Sequence, residues 1–438
     1  MFDLVIRAAS AFVDGRFQPA EIGIVVGRIA AIGTDLEGPL VCLRDDEVLI
    51  PGIVDTHVHV NEPGRTEWEG FASATRAAAA GGVTTIIDMP LNSVPTTISI
   101  EALLEKRAVA LDKVVVDTGF WGGAVPENLG MLAELHGGGV FGFKAFLAPS
   151  GIDEFGFLNP DQLEKALEEI AALGSMLIVH AEDPGVLDAN ANAGGTSYAA
   201  FVESRPDAAE TTAIDRVIAG VRRTGARAHI LHLSSAAALP ALRAARAEGL
   251  PITVETCPHY LVLAAEGIDD GATQFKCCPP IRGEANREAL WQALLDGDID
   301  VIVTDHSPAT ADLKFAGDGD FQVAWGGIAG LQTGLSSVWT EAASRAISLD
   351  RVLQWMSTGT ADLVGLTHKG RIAIGADADL VAFAPDERFT VHAAELRHKN
   401  PISAFEGRSL RGVARRAWLR GHPITDDTRG SLLETSRS

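Results

Sequence analysis

Six residues with metal-binding side chains fall at or near the ends of apolar runs that are spread over most of the chain. His57 and His59 close the run VLIPGIVDTHVHV, and the other four are Lys144, His180, His232 and Asp305. Side chains alternate along a strand, so the spacing of His57 and His59 puts both imidazoles on one side, where both can bind one ion. A single His-x-His is as often a packed or surface pair. Six such groups at strand ends predict a metal centre.

Lys144 is the unusual member of this set, because it stands inside the apolar segment VFGFKAFL. Burying an unpaired ammonium is costly, so the position needs an explanation. One explanation is a salt bridge to an acid such as Glu154. The other is a deprotonated amine that reacts with carbon dioxide and gives a carbamate, whose oxygens could bridge two metal ions.

Asp305 is the candidate for acid–base work, because a carboxylate beside metal ions can also take a proton from bound water. Its neighbour His306 and the more distant His259 are interpreted as supporting or structural residues. The adjacent pair Cys277 and Cys278 has no partner pattern typical of a thiol nucleophile, so that chemistry is not expected.

The candidate residues sit in a repeating pattern that begins at about residue 50. An apolar run rich in Val, Ile and Leu is followed by a polar or Gly/Pro turn and then by an amphipathic, Ala-rich segment. Such alternation is typical of parallel strands buried on both faces and connected by helices. We count about eight units, which predicts a closed (β/α)8 barrel whose catalytic rim is formed by the carboxyl ends of the strands. An open doubly wound sheet is the alternative, but no Gly-rich phosphate turn follows the first run.

The two chain ends differ from this pattern, since they carry short alternating strands separated by Gly and Asp turns. Neither end has enough apolar residues to fold alone. We therefore predict a small β-sandwich domain built from residues 1–50 and 370–438, and a catalytic barrel over residues 51–369.

Composition narrows the class of partner. Lys and Arg number 36 and Asp and Glu 58, so the net charge is −22 and argues against nucleic acid and anionic membranes. No apolar run reaches the roughly 20 residues that cross a bilayer, and the N-terminus does not resemble a signal peptide. Four scattered cysteines form no disulfide framework, which predicts a reducing, cytoplasmic location.

Several segments together resemble the cyclic amidohydrolases over nearly the whole chain: GIVDTHVHVNEPGRTEWEGF, GFKAFL, HAE, HLSSA, ETCPHYL, KCCPPIR, TDHSP and WGGIAGLQ. The resemblance implies a binuclear centre, with one ion on His57, His59, Lys144 and Asp305 and the other on Lys144, His180 and His232. It implies that Lys144 is carboxylated and bridges both ions along with a hydroxide, and that Asp305 shuttles the proton. It further implies zinc, with iron, cobalt or manganese as alternatives, and a homotetramer.

The substrate predicted from the resemblance is a small neutral cyclic ureide, with the opening of allantoin to allantoate, a step of ureide catabolism, ranked first. Dihydroorotase-like sequences carry an arginine for the substrate carboxylate where this chain has Asn61, although Arg65 could substitute. Asn61, Arg65, Cys278 and Gly327 are the candidate substrate contacts. Hydantoinase, dihydropyrimidinase and dihydroorotase activities remain alternatives.

A different class of function also stays open, because some proteins of this fold are scaffolds that have lost their metal ligands. Every matching ligand position is filled in this chain. Metal content would discriminate the two classes, since an enzyme of this kind holds about two ions per chain.

Overall fold

The structure is a computed structural model that describes residues 1–435; residues 436–438 of the predicted companion domain lie outside the described part. Within that part the strands, in chain order, are β1 (Leu4–Val13), β2 (Arg16–Val25), β3 (Arg28–Gly33), β4 (Leu40–Cys42), β5 (Val48–Pro51), β6 (Ile53–Val58), β7 (Val83–Asp88), β8 (Asp117–Phe120), β9 (Gly122–Gly123), β10 (Phe143–Phe146), β11 (Met176–His180), β12 (Arg227–Ile230), β13 (Ile252–Thr256), β14 (Val301–Ile302), β15 (Leu380–Thr390), β16 (Ser409–Leu419) and β17 (His422–Pro423).

Within residues 1–435 the α-helices all lie between β6 and β15: α1 (Phe71–Ala80), α2 (Ile100–Ala110), α3 (Leu132–Gly137), α4 (Pro160–Leu173), α5 (Pro184–Ala189), α6 (Tyr198–Glu203), α7 (Asp207–Thr224), α8 (Leu239–Ala247), α9 (Pro258–Val262), α10 (Glu284–Asp296), α11 (Ala311–Lys314), α12 (Gly334–Ser344), α13 (Leu349–Leu353) and α14 (Gly359–Leu363). In the described residues no helix is both long and apolar enough to span a bilayer.

Helix α4 illustrates how the sequence sets these elements. It begins with a capping box, in which the Asn159 side chain accepts from the amide of Gln162 and Gln162 accepts from the amide of Asn159. It ends at Gly174, whose φ of 63° is the left-handed conformation that favours glycine. Its buried side chains recur every three or four residues, which gives the apolar face that packs inward: Leu163, Ala166, Leu167 and Ile170.

The parallel strands form two sheets whose order follows the chain. Strands β6, β7 and β8 make one, and β9 to β14 make the other; Trp121 alone separates β8 from β9. At the opposite side, Val58 forms a parallel bridge with His306, and the amide of His59 donates to the His306 carbonyl at 2.8 Å. Every residue of β6, β7, β10 and β11 is buried, as expected of parallel strands that are covered on both faces.

Strands from both chain ends share one further sheet, in the order β17-β16-β15-β5-β1-β2-β3 with β4 beside β1. The apolar run at residues 48–60 therefore holds two strands, since β5 belongs to this terminal sheet and β6 to the parallel one. The break falls at Gly52, where a Cβ atom would lie 2.0 Å from Oγ1 of Thr84. A separate apolar cluster unites the two ends, with Ile6, Ile22, Leu49, Leu380 and Trp418 among its members.

The C-terminal residues also run beside a parallel strand. The amide of Thr118 donates to the Ser431 carbonyl at 2.9 Å, and the amide of Leu433 donates to the Thr118 carbonyl at 2.8 Å. Further along the chain, Asn400 Nδ2 donates to the carbonyl of Trp68 at 2.7 Å. Segments that the sequence analysis assigned to the companion domain thus form hydrogen bonds with a parallel strand and with the loop that follows β6.

Candidate metal centre and its cavity

All six predicted metal-binding side chains meet in one cluster at the carboxyl ends of the parallel strands, and all are buried. Three lie inside strands: His57 in β6, Lys144 in β10 and His180 in β11. The other three lie just beyond a strand end: His59 after β6, His232 after β12 and Asp305 after β14. Strand ends brought together by parallel pairing therefore gather residues that are far apart in sequence.

Short distances connect the members of the cluster. The Oδ1 atom of Asp305 lies 3.1 Å from Nε2 of His57 and 3.5 Å from Nε2 of His59. The remaining two contacts are Lys144 Nζ to His57 Nε2 at 3.4 Å and His180 Nδ1 to His232 Nε2 at 3.1 Å. Nitrogen and oxygen donors from five strand ends thus face one small volume.

Two of these residues have unusual backbone conformations. His232 has a φ of 35° and Asp305 a φ of 45°, in the left-handed region that non-glycine residues rarely adopt. Such conformations persist where the surroundings fix them, and they cluster at functional sites. The turn after each strand therefore directs a potential ligand into the cluster at some conformational cost.

Glu255, in β13, fixes the orientation of His57. Its Oε1 atom lies 2.5 Å from Nδ1 of His57 and accepts from the amide of His232 at 3.1 Å, while Oε2 lies 3.0 Å from Nε2 of His229. Because Glu255 is paired with Nδ1, the Nε2 atom of His57 remains available as a ligand for the candidate metal centre. Sequence reasoning missed Glu255 and His229, although an acid inside the apolar run ITVETCPH is a signal that could have found the first.

Glu182 does the same for His180, since its Oε2 atom lies 2.9 Å from Nε2 of that ring. Arg205 donates from Nε and Nη2 to the two oxygens of Glu182, at 3.1 and 2.9 Å. Burial alone would raise the pKa of Glu182, but Arg205 and His180 lower it to about 2. The carboxylate is therefore charged and fixed, and it leaves Nδ1 of His180 facing His232. Sequence reasoning missed this pair as well.

Burial favours the neutral, metal-binding form in three of the four histidines of the cluster. Burial lowers the pKa of His59 to about 3, and the Lys144 ammonium lowers it too. Burial also lowers the pKa values of His180 and His232. His57 differs, because the carboxylates of Asp305 and Glu255 raise its pKa although burial opposes this. Neutral imidazoles are metal ligands, and the carboxylates around His57 create a potential that favours a cation.

Lys144 has no carboxylate within ion-pair distance anywhere in residues 1–435. Glu154, its proposed partner, instead binds Nη2 of Arg65 at 2.9 Å, so the salt-bridge explanation is wrong for that residue. Burial lowers the pKa of Lys144 to about 8, against the opposing effect of Asp305 and Glu255. The unprotonated amine is the form that reacts with carbon dioxide, and a lowered pKa increases its share.

The donor set fits a divalent transition metal. One ring nitrogen each of His57 and His232 and one oxygen of Asp305 lie within 4.8 Å of one another. Nδ1 of His232 is buried and, within the described residues, has no hydrogen-bond partner. Imidazole nitrogen and carboxylate oxygen are typical ligands of zinc and of the neighbouring first-row metals.

The two other histidines singled out from sequence lie around this centre. His306 is buried, with Nε2 3.2 Å from Oε2 of Glu69. His259 lies near Asp305, and its buried Nε2 has no hydrogen-bond partner in the described part of the chain; burial lowers its pKa to about 4. Burial raises the pKa values of Cys257 and Cys277, which favours the protonated thiol in both.

A cavity of about 410 Å³ opens onto the cluster, a size that suits a small ring. His59, Lys144, His180, His232 and Asp305 line its floor. Its wall includes Asn92, Ser150, Arg205, Lys276, Cys277, Cys278, Ser307 and residues 322–327. Most of these come from loops, where no spacing rule of strands or helices marks them in the sequence.

Of the four predicted substrate contacts, Cys278 and Gly327 line this cavity, and Asn61 and Arg65 do not. Asn61 Nδ2 donates to the Pro308 carbonyl at 3.4 Å, and Arg65 binds Glu154 and the Asn92 carbonyl. Asn61 was chosen because it stands two residues after His59, where dihydroorotase-like sequences carry an arginine. Strand β6 ends at Val58, and Asn61, with a φ of 67°, directs its side chain to the Pro308 carbonyl.

The cavity wall offers backbone donors. In the described part of the chain, the amides of Cys277, Cys278 and Gly326 donate to no protein group. At Gly327, with a φ of 119°, a Cβ atom would lie 2.3 Å from the Ser307 carbonyl, so the wall requires glycine. These amides suit the carbonyl oxygens of a neutral ring.

Comparison with known proteins gives consistent matches. The model of the amidohydrolase family matches residues 48–422. The chain is 54% identical to the allantoinase of Streptomyces avermitilis, over 97% of this chain and 96% of that protein. It is 44% identical to the allantoinase of Saccharomyces cerevisiae, over 87% and 84% of the two chains. A solved structure of the L-hydantoinase (dihydropyrimidinase) of Arthrobacter aurescens superposes with a TM-score of 0.91 at 30% identity, covering 99% and 98%.

Proposed function

Because the chain belongs to the amidohydrolase family, we propose that it hydrolyses a small cyclic amide, and that this substrate is allantoin, which is opened to allantoate. The observation that carries the proposal is the convergence of six potential ligands from distant strand ends beneath a cavity. Relatives named allantoinase, matched over nearly the whole chain, support the choice of substrate.

The proposed cofactor is a pair of divalent metal ions, most simply zinc, with iron, cobalt or manganese as alternatives. His57, His59, Lys144 and Asp305 would hold one ion, and Lys144, His180 and His232 the other, with a carboxylated Lys144 shared between them. The low pKa of the Lys144 amine and its lack of a carboxylate partner support the modification. When bound, such ions lower the pKa of water and polarise a carbonyl group.

Asp305 is the proposed proton carrier. Its carboxylate lies at the cavity floor beside His57 and His59, and its pKa is held low by His57 although burial opposes this. It is therefore ionised and able to accept a proton from the attacking water. The Asp305 carboxyl group would then deliver that proton to the ring nitrogen that leaves when the amide C–N bond breaks.

The cavity wall favours a neutral ring over one that carries a carboxylate. Arg65 could have replaced the arginine of dihydroorotase-like sequences. It binds Glu154 instead and does not line the cavity. Arg205 does reach the wall, but both oxygens of Glu182 already balance its charge. The free amides of Cys277, Cys278 and Gly326 would bind carbonyl oxygens instead.

The proposed architecture is one closed (β/α)8 barrel over residues 51–369, with a companion β-sandwich formed by residues 1–50 and 370–438. The bridge between Val58 and His306 supports closure, and the sheet shared by both chain ends supports the companion domain. We also propose a homotetramer in a reducing, cytoplasmic compartment, which the four free cysteines would suit.

A hydantoinase-type activity is the second candidate, because a solved hydantoinase matches the fold at a TM-score of 0.91. Ring opening of allantoin, hydantoin, dihydrouracil and dihydroorotate should be measured in parallel, before and after removal of metal by a chelator. We expect allantoin to be preferred and all activity to be lost on chelation. A clear preference for another ring would reject the substrate, and full activity after exhaustive chelation would reject the metal centre.

A further inference from the structure

Lys314, the last residue of α11, is a buried lysine that the proposed chemistry does not use. Its side chain is 3% exposed, and no carboxylate lies within ion-pair distance of it in residues 1–435. Its Nζ donates to three backbone carbonyls instead, those of Lys276 at 2.9 Å, Trp325 at 3.2 Å and Gly327 at 2.5 Å. Burying an ammonium without a counter-charge is costly, so the arrangement calls for a reason.

The three carbonyls belong to the two segments that form one side of the cavity, residues 276–278 and 324–327. Lys314 itself does not line that cavity. It lines a small space behind the wall, and Gly327 lies between the two spaces. The wall segments are also connected directly, since the amide of Gly327 donates to the Lys276 carbonyl at 2.9 Å.

Peptide geometry then determines where the free amides point. The peptide bonds that follow Lys276 and Trp325 are trans, because the cis bonds of the described chain all precede proline. In a trans peptide the N–H is opposite to the carbonyl. With both carbonyls directed back to Lys314, the N–H groups of Cys277 and Gly326 point away from it. Both residues line the cavity, and neither amide has an acceptor among residues 1–435.

We propose that Lys314 is a positioning residue for substrate recognition: its ammonium fixes two wall peptides so that the amides of Cys277 and Gly326 bind carbonyl oxygens of the cyclic ureide. This inference rests on the proposed function, since it assigns the geometry of the same cavity. Lys276 reinforces the wall, because its Nζ donates to the carbonyls of Gln322 at 3.3 Å and Ala324 at 2.5 Å. Burial lowers the pKa of Lys314 to about 7, in keeping with a site that has no acid partner.

The test is Lys314→Met, which keeps an unbranched side chain of similar length and removes the donors. Lys165→Met, on the exposed face of α4, is the matched control. For whichever ring the wild type opens, we expect KM to rise about tenfold or more in the Lys314 variant, since one or two hydrogen bonds to substrate are lost. The kcat value and the metal content should stay within about twofold of wild type.

Calorimetric binding of the ring-opened product gives a readout without turnover, and we expect the same loss of affinity as in KM. Lys314→Gln retains two N–H donors and should fall between wild type and the Met variant; it also serves as the test if the Met variant does not fold. An unchanged KM and product affinity in a folded variant would overturn the inference, as would joint loss of kcat and metal. A wild type that opens none of the four rings would instead refute the proposed function.

Discussion

The carboxylate of Glu255 lies 2.5 Å from Nδ1 of His57, so it determines which nitrogen of that ring faces the centre. Glu255→Gln keeps the size of the side chain and removes its charge. We expect zinc affinity, measured by competition with a chromophoric chelator, to fall about 10-fold to 100-fold. Glu248→Gln, in an exposed pair with Arg222, is the control and should bind zinc as wild type does. Equal affinities in the two variants would contradict this role.

Arg205 supports the His180 side of the centre through Glu182. Arg205→Met would leave the buried Glu182 carboxylate without its counter-charge and free to leave His180. We expect kcat/KM to fall about tenfold or more. Arg216→Met removes a half-exposed arginine that pairs with Asp183 nearby, and its kcat/KM should change little. Similar losses in both variants would indicate a general effect of removing an arginine in this region.

Lys144 is expected to be required for metal retention as well as activity. In Lys144→Ala the shared ligand is absent, so activity and metal should be lost together, whereas Lys165→Ala should retain both. The measurement is elemental analysis of the purified variants beside the ring-opening assay. Full metal occupancy in the Lys144 variant would count against the carbamate bridge.

A buried charge cluster joins the terminal sheet to β8. Lys369 Nζ lies 2.5 Å from Asp117, 2.9 Å from Asp377 and 2.6 Å from Asp379. Lys369→Met leaves these carboxylates without their shared ammonium, and we expect the free energy of unfolding in urea to fall by about 3–5 kcal/mol. Arg28→Met breaks a half-exposed pair with Asp377 and should cost under about 1 kcal/mol. A smaller loss for Lys369→Met than for Arg28→Met would refute this ranking.

Sequence reasoning found all six cluster residues because one rule applies to each of them. Each stands in an apolar run, either within a parallel strand or up to three residues beyond its end, and parallel pairing brings these strands together. The eight apolar runs each contain at least one parallel strand, so the pattern also predicted the elements. Two runs concealed a boundary between sheets: the first run at Gly52, and the run at residues 114–123, where Trp121 separates β8 from β9.

The rest depended on contacts that no local pattern encodes. Asn61 and Arg65 were predicted by comparison with dihydroorotase-like sequences, and neither lines the cavity, because Asn61 donates to the Pro308 carbonyl and Arg65 binds Glu154, which lies far along the chain. Glu255 and Lys314 act through groups on other elements, so their partners become visible only in the folded chain. Loop residues of the cavity wall follow no period, which is why Arg205 and Lys276 were missed.

In the proposed centre, six side chains from five strand ends hold a pair of metal ions. Anomalous diffraction at the zinc edge from crystals of the zinc-loaded protein tests it most directly. We expect two peaks in each chain, one bordered by His57, His59 and Asp305 and the other by His180 and His232, with Lys144 between them. Peaks elsewhere, or an empty cluster in a protein that opens the ring, would contradict it.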